Sequence, residues 1–275
     1  MSLRLSVASL GLIAGLAASP AIAAGDCAAG KTLEDGKLTI ATGNPAYFPW
    51  VIDDAPEKGE GYEAAVAYAI AAEMGFAADD VVWVRAGFDE SIQPGAKSFD
   101  FNLQQFSITP DREKVVDFSL PYYTSAMAVV TTQAVIDGGA AATLEGLKTL
   151  KWGADANTTA VPMLMDLVAP DSDPLLYNDN TDVTAAIQAG QIDAALFDLP
   201  TALYLAAVVV ENGAILGQFP ADRTDNPDQF GLLMEDGAAI KTCVDEAITA
   251  LTASGKLAEI EATWLSETTG VPVIE

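Results

Sequence analysis

The sequence predicts an α/β protein of two lobes joined by a two-strand hinge, and three observations predict it. From residue 37 onward, short apolar runs alternate with stretches of helical period, which is how strands linked by crossover helices read. A second alternating series opens at 127, after the first has supplied three strands. Two amphipathic helical stretches are left over at the C-terminal end, and the two cysteines lie far apart, Cys27 before the first strand and Cys243 in the first of those helices. A disulfide between them would return the helices to the first series, so that the chain crosses between lobes twice.

The first series begins with a strand over 37–42 (KLTIAT) and a turn over 43–49. Residues 61–74 set Tyr62, Val66, Ile70 and Met74 on one helical stripe that Gly75 terminates. Strands follow at 80–86 (DVVWVRA) and 99–106, and a helix start at Thr109, with Pro110 as its first residue and Arg112 as its third. The second series has a strand at 127–132 (MAVVTT), a short strand at 152–154, helices at 159–168 and 184–189, a buried strand at 192–197 and a helix at 200–210. One more strand at 230–234 precedes the helices 238–253 and 256–265. The alternation implies largely parallel sheets. Lobe one is expected over 24–128 and 220–275, and lobe two over 129–219.

Residues 1–23 read as an export signal. Arg4 precedes a charge-free apolar run over 5–18, Pro20 breaks it, and Ala21-Ile22-Ala23 offers the small residues that signal peptidase reads. The run is shorter than the ~20 residues needed to span a bilayer, and Asp26 before Cys27 departs from a lipoprotein signal. About 252 residues remain, enough for two domains. With 39 acidic and 13 basic residues the net charge is −26, which repels phosphate backbones and excludes nucleic acid as a partner. There is no histidine and no cysteine cluster, so neither a metal site nor a cofactor is expected. An exported chain favours a Cys27–Cys243 disulfide. The competing reading is a buried thiol, because Cys243 shares an apolar helical face with Ile240, Val244, Ala247, Ile248 and Leu251.

In open parallel sheets, ligands sit at the carboxyl ends of strands, and that rule selects the candidates. They are Asn44, Tyr47 and Trp50 after the first strand, Arg85 and Phe88 after the second, and Gln104, Gln105, Ser107 and Arg112 after the third. In the second series they are Thr158 and Thr159 at a helix start and Asp198 behind IDAALF. Each also has a purely structural reading: Asp198 and the threonines as helix caps, the aromatics as core, Arg112 as one of a surface ion pair. Arg112 is the anomaly, since a cation in the first turn of a helix opposes the macrodipole. Together the residues match a zwitterion. A guanidinium with hydroxyls and helix amides suits a carboxylate, an aspartate suits an ammonium, and aromatic rings suit the body of an α-amino acid.

The block FDFNLQQFSITPDREKVVDFSLPYYTS, residues 99–125, closely resembles the signature of the family 3 solute-binding proteins, the periplasmic amino-acid receptors of ATP-binding cassette importers. TGNPAYFPW from 42, GYEAAVAYAIAAEMG from 61, LEGLKTLKWGADANTTA from 144 and GQIDAALFDLPTALYL from 190 match in the family's order. The resemblance implies a type II periplasmic binding protein in which Arg112, helped by Ser107, Thr158 and Thr159, grips the ligand α-carboxylate. Asp198 would receive the α-ammonium, and Tyr47 and Phe88 would flank the side chain.

Three departures bear on specificity. Asn44 stands where receptors for basic amino acids often carry aspartate, Gln104 and Gln105 replace a small pair, and Asn157 replaces a glycine. The expected protein is a monomeric periplasmic receptor that captures a polar or small neutral L-amino acid and delivers it to an inner-membrane permease. The rivals are a dehydratase of the same fold acting on a prephenate-like acid through Glu63 or Asp198, and a sensor coupled to a chemoreceptor.

Overall fold

A computed structural model describes residues 27–221, 227–265 and 270–274; the predicted export segment 1–23 lies outside the described residues. The chain opens with β1 (Leu38–Thr42), α1 (Tyr62–Glu73), β2 (Val81–Arg85), α2 (Phe88–Ser91) and β3 (Phe101–Asn102). Three short strands follow, β4 (Val116–Phe118), β5 (Tyr123–Ser125) and β6 (Met127–Thr132). Next come α3 (Gln133–Asp137), α4 (Leu144–Lys148), β7 (Trp152–Asp155), α5 (Ala160–Leu167) and β8 (Leu175–Tyr177). Then come α6 (Asn180–Gln188), β9 (Ala194–Asp198), α7 (Leu199–Tyr204), β10 (Gly213–Phe219), β11 (Asp228–Phe230) and β12 (Leu233–Glu235). The helices α8 (Lys241–Ala253) and α9 (Lys256–Trp264) complete the order.

Two five-stranded sheets result, β2-β1-β3-β12-β4 and β10-β6-β9-β7-β8, and a two-stranded ribbon of β5 and β11 lies between them in the chain. Both sheets are mixed, which corrects the expectation of largely parallel sheets. β1 pairs in parallel with β2 and β3, but β12 runs antiparallel to β3 and β4. In the second sheet β7 is parallel to β8 and β9, whereas β6 runs antiparallel to β9 and β10. In the second sheet the antiparallel pairs are those of β6, the strand that carries the chain in, whereas in the first sheet they are made by β12 after the chain has returned.

Periodicity located the core faces. Tyr62, Val66, Ile70 and Met74 of the α1 stripe are buried, and so is the α8 face from Ile240 to Leu251. These faces meet in one cluster with Leu38, Ile40 and Phe101 of the first sheet, each such side chain contributing about 1.5–3 kcal/mol by leaving water. Cys27 and Cys243 form a disulfide with Cα atoms 5.8 Å apart, which ties the N-terminal segment to α8. Gly61 is required where α1 begins. It has φ 100°, and a Cβ there would lie 2.5 Å from the Trp50 carbonyl oxygen.

Several expected elements change. The strand at 99–106 shrinks to β3, and Gln105 beyond it takes a left-handed φ of 51°. The strand at 230–234 divides into β11 and β12 at Gly231, where the chain passes from the ribbon to the first sheet. The helix at 184–189 begins at Asn180, with the Asp179 side chain accepting from the Asp182 N–H; its polar start reads as a loop in sequence. The helix expected from Thr109 is a three-residue 3₁₀ turn, Arg112–Lys114, although the Thr109 hydroxyl does accept from the Arg112 N–H at 3.2 Å.

Candidate functional site

A cavity of about 460 Å³ lies between the two sheets and draws its lining from both. Arg112 enters it from the turn after Thr109. Nη1 donates to the Ser107 carbonyl at 2.9 Å and Nη2 to the Asn157 carbonyl at 3.0 Å, while the guanidinium lies 5.4 Å from the centroid of the Phe88 ring. Phe88 in turn stacks on Phe106 at 4.7 Å. Burial lowers the Arg112 pKa and the nearby Asp228 and Asp155 carboxylates raise it, and a guanidinium stays charged under that balance. The macrodipole objection to Arg112 therefore disappears: a single 3₁₀ turn has little dipole, and two carbonyls with an aromatic face stabilise the cation.

Besides the Arg112–Asn157 bond, five contacts join the halves over this space. The Ser107 and Thr159 hydroxyls are 3.0 Å apart, and those of Tyr47 and Thr181 are 3.1 Å apart. The Trp50 indole N–H donates to Thr201 Oγ1 at 2.8 Å, and Asn157 Nδ2 donates to Asp89 at 2.9 Å. Phe48 meets Tyr204 with ring centroids 4.9 Å apart. Since hydroxyls and side-chain amides can instead bond water when the halves part, each contact contributes only modestly to closure.

The remaining wall is acidic. Asp198 ends β9 and caps α7, its Oδ1 accepting from the Thr201 N–H at 2.8 Å. Burial pushes its carboxyl up to about 7, the Thr201 bonds oppose the rise and the Asp228 charge adds to it. Asp228, at the start of β11, is 8% exposed, and burial pushes it up to about 6 against the pull of Ser107 and Arg112. Asp155, at the end of β7, is 6% exposed and is likewise raised by burial.

The profile of the bacterial extracellular solute-binding proteins, family 3, matches residues 38–267. The chain belongs to this family. The L-cystine-binding protein TcyJ of Escherichia coli K12 is 25% identical over 241 residues, covering 85% of this chain and 84% of that protein. An ancestral arginine-binding protein bound to glutamine superposes with a TM-score of 0.68 at 23% identity, covering 85% of this chain and 100% of the other. A Salmonella typhimurium periplasmic binding protein of high arginine specificity gives 0.65 at 24%, covering 83% and 98%. These likenesses establish the two-lobed type II fold.

Within this family 3 protein, ten of the residues selected from sequence line the cavity: Asn44, Tyr47, Phe88, Gln104, Gln105, Ser107, Arg112, Thr158, Thr159 and Asp198. Trp50 does not. It is fully buried, ringed by Tyr62, Tyr123 and Phe230, and reaches the opposite half only through its N–H. Arg85 is not among the lining residues; it pairs with Asp54, Nη1 at 2.5 Å from Oδ1. Thr159 makes no cap hydrogen bond, whereas Thr158 donates to the Asp155 carbonyl and accepts from the Ala160 N–H. Glu63 is 1% exposed and is held by the Gln105 main-chain N–H at 2.8 Å, the Gln105 amide and the Tyr122 hydroxyl. Burial pushes it up to about 7, and it is absent from the cavity lining. Sequence reasoning missed Asp155, Thr181, Tyr204 and Asp228. Asp155 lies one residue past the expected strand end, so the strand-end rule nearly reached it. Asp228 carries no such signal, because it begins a strand.

Proposed function

We propose that the protein captures an L-amino acid between its lobes in the periplasm, after cleavage of the segment 1–23, and delivers it as a monomer to an inner-membrane ATP-binding cassette permease. Lobe one is taken as 24–128 with 220–275 and lobe two as 129–219, with the crossing strand β6 starting just before that boundary. Arg112 holds the α-carboxylate with Ser107, Thr158 and Thr159. Asp198 receives the α-ammonium, and Tyr47 and Phe88 flank the side chain, with Asn44, Gln104 and Gln105 beyond them. The observation that carries this reading is that Arg112 and Asp198, which come from opposite halves of the molecule and are opposite in charge, line one cavity. Bridging both halves, a zwitterion favours the closed form by contacts that exist only there.

A cavity of about 460 Å³ is within the range of small-molecule sites, and its amides and acids suit a polar guest better than a small apolar one. Capture without turnover is supported by Glu63, whose carboxyl is engaged by Tyr122 and Gln105 rather than turned to the cavity. Calorimetric titration of unliganded protein with the twenty amino acids is the test. A few of them bind at micromolar or tighter affinity, and Arg112→Ala and Asp198→Ala abolish binding because each strands one end of the zwitterion. Turnover of a prephenate-like acid with no amino-acid binding would instead establish the dehydratase. Loss of chemotaxis with uptake intact in a deletion strain would establish the sensor.

A further inference from the structure

The cavity is out of charge balance. Among the described residues that line it, Arg112 is the one cation, against the carboxylates of Asp155, Asp179, Asp198 and Asp228. None of these four belongs to an ion pair among the described residues. Arg112 directs two donors at carbonyls instead. Asp155 and Asp228 are more than nine-tenths buried, where an uncompensated carboxylate is costly.

An α-amino acid with a neutral side chain cannot correct this, because it brings one positive and one negative group. Its carboxylate takes Arg112 and its ammonium takes Asp198, and Asp228 is left facing the same space. The hinge strands hold these two acids together. Asp228 pairs in register with Ser125 of β5, and Asp198 with Met127 of β6, two residues further along the same chain. Gln104 also lines the cavity, although its side-chain oxygen is buried away from that space without a hydrogen-bond partner.

We propose that the cavity selects a guest of net positive charge, an L-amino acid with a basic side chain, and that Asp228 sets this preference. The proposal rests on amino-acid capture at this site. It reverses what Asn44 implies in sequence, because the acid is supplied from β7 and β11 rather than from the loop after β1. The cavity's summed negative potential attracts the second cation whichever carboxylate it finally touches.

The test uses two isosteric pairs that differ in side-chain charge, L-arginine with L-citrulline and L-lysine with L-norleucine, titrated calorimetrically into the unliganded mature protein at slightly alkaline pH. The basic member of at least one pair binds about 30-fold or more tightly than its partner, and Asp228→Asn cuts that ratio by about tenfold. The ratio in the unsubstituted protein is read independently of whether the variant folds. Equal binding within both pairs, or preference for the neutral members, overturns the proposal and leaves amino-acid capture standing. A ratio unchanged in a folded Asp228→Asn protein overturns the role of Asp228. Failure of every amino acid to bind overturns the underlying reading and this one with it.

Discussion

Replacing Asp198 by Asn separates binding from stability, because the two should move in opposite directions. The substitution keeps the shape and keeps the α7 cap, since the Oδ1 that accepts from the Thr201 N–H remains and Asn caps as well as Asp. What disappears is a carboxyl that burial and Asp228 push up to about 7. That is roughly three units above the ordinary aspartate value, and at about 1.4 kcal/mol per unit the ionised group costs at most ~4 kcal/mol. Asp198 lines the cavity and is only partly buried, so solvent screening reduces the realisable gain to about 1–2 kcal/mol. For a chain of this size that corresponds to a melting temperature about 2–8 °C higher without ligand at slightly alkaline pH. Binding moves the other way. On the proposed reading the ligand ammonium would face a neutral amide, a loss of about 3–5 kcal/mol, or at least about 10²-fold in affinity. Thermal unfolding of the unliganded protein and calorimetric titration of its best amino-acid ligand measure the two effects. A variant that melts lower than the parent yet binds with parental affinity refutes both the buried-charge cost and the ammonium contact.

The pH dependence of stability has a definite sign. Glu63 and Asp198 are raised to about 7 and Asp228 to about 6, so between about pH 4 and 7 the folded chain retains protons that the unfolded chain has lost, and stability falls as pH rises through that window. The melting temperature of unliganded protein therefore drops from about pH 5 to pH 8; a flat or rising profile would contradict the burial of these acids. Thr201→Val leaves the Trp50 indole N–H without its acceptor when the halves are closed, and it also removes the Thr201 hydroxyl bond to Asp198. It should weaken ligand binding about tenfold and shift unliganded protein toward a more extended form in small-angle scattering, whereas unchanged affinity would remove this bond from the closing mechanism. The Cys27–Cys243 bridge spans 216 residues, and replacing both cysteines by serine should cost about 2–4 kcal/mol and lower the melting temperature by roughly 5–15 °C. An unshifted transition would show that α8 docks without it.

Much of the fold was legible because its signals are local. The α1 stripe and the α8 face follow from spacing alone, and both are buried where the period put them. Strands without alternation were not legible: β4, β5 and β11 are three residues each, too short for a period, and they exist because neighbouring strands supply their hydrogen bonds. The break in the expected strand at 230–234 has the same origin, since β11 belongs to the ribbon and β12 to the first sheet.

The site divides along the same line. From the sequence alone came Arg112, Asp198 and the hydroxyls around them, because residues just past strand ends are fixed by the local alternation of strand and loop. The tertiary structure alone decided the company they keep. Asp228 reaches the cavity through a strand start, Trp50 is withdrawn into the core with only its N–H reaching across, and Glu63 is held by Gln105 and Tyr122. Those outcomes depend on how two sheets meet across crossing strands, a relation between residues far apart in the chain that no local period encodes.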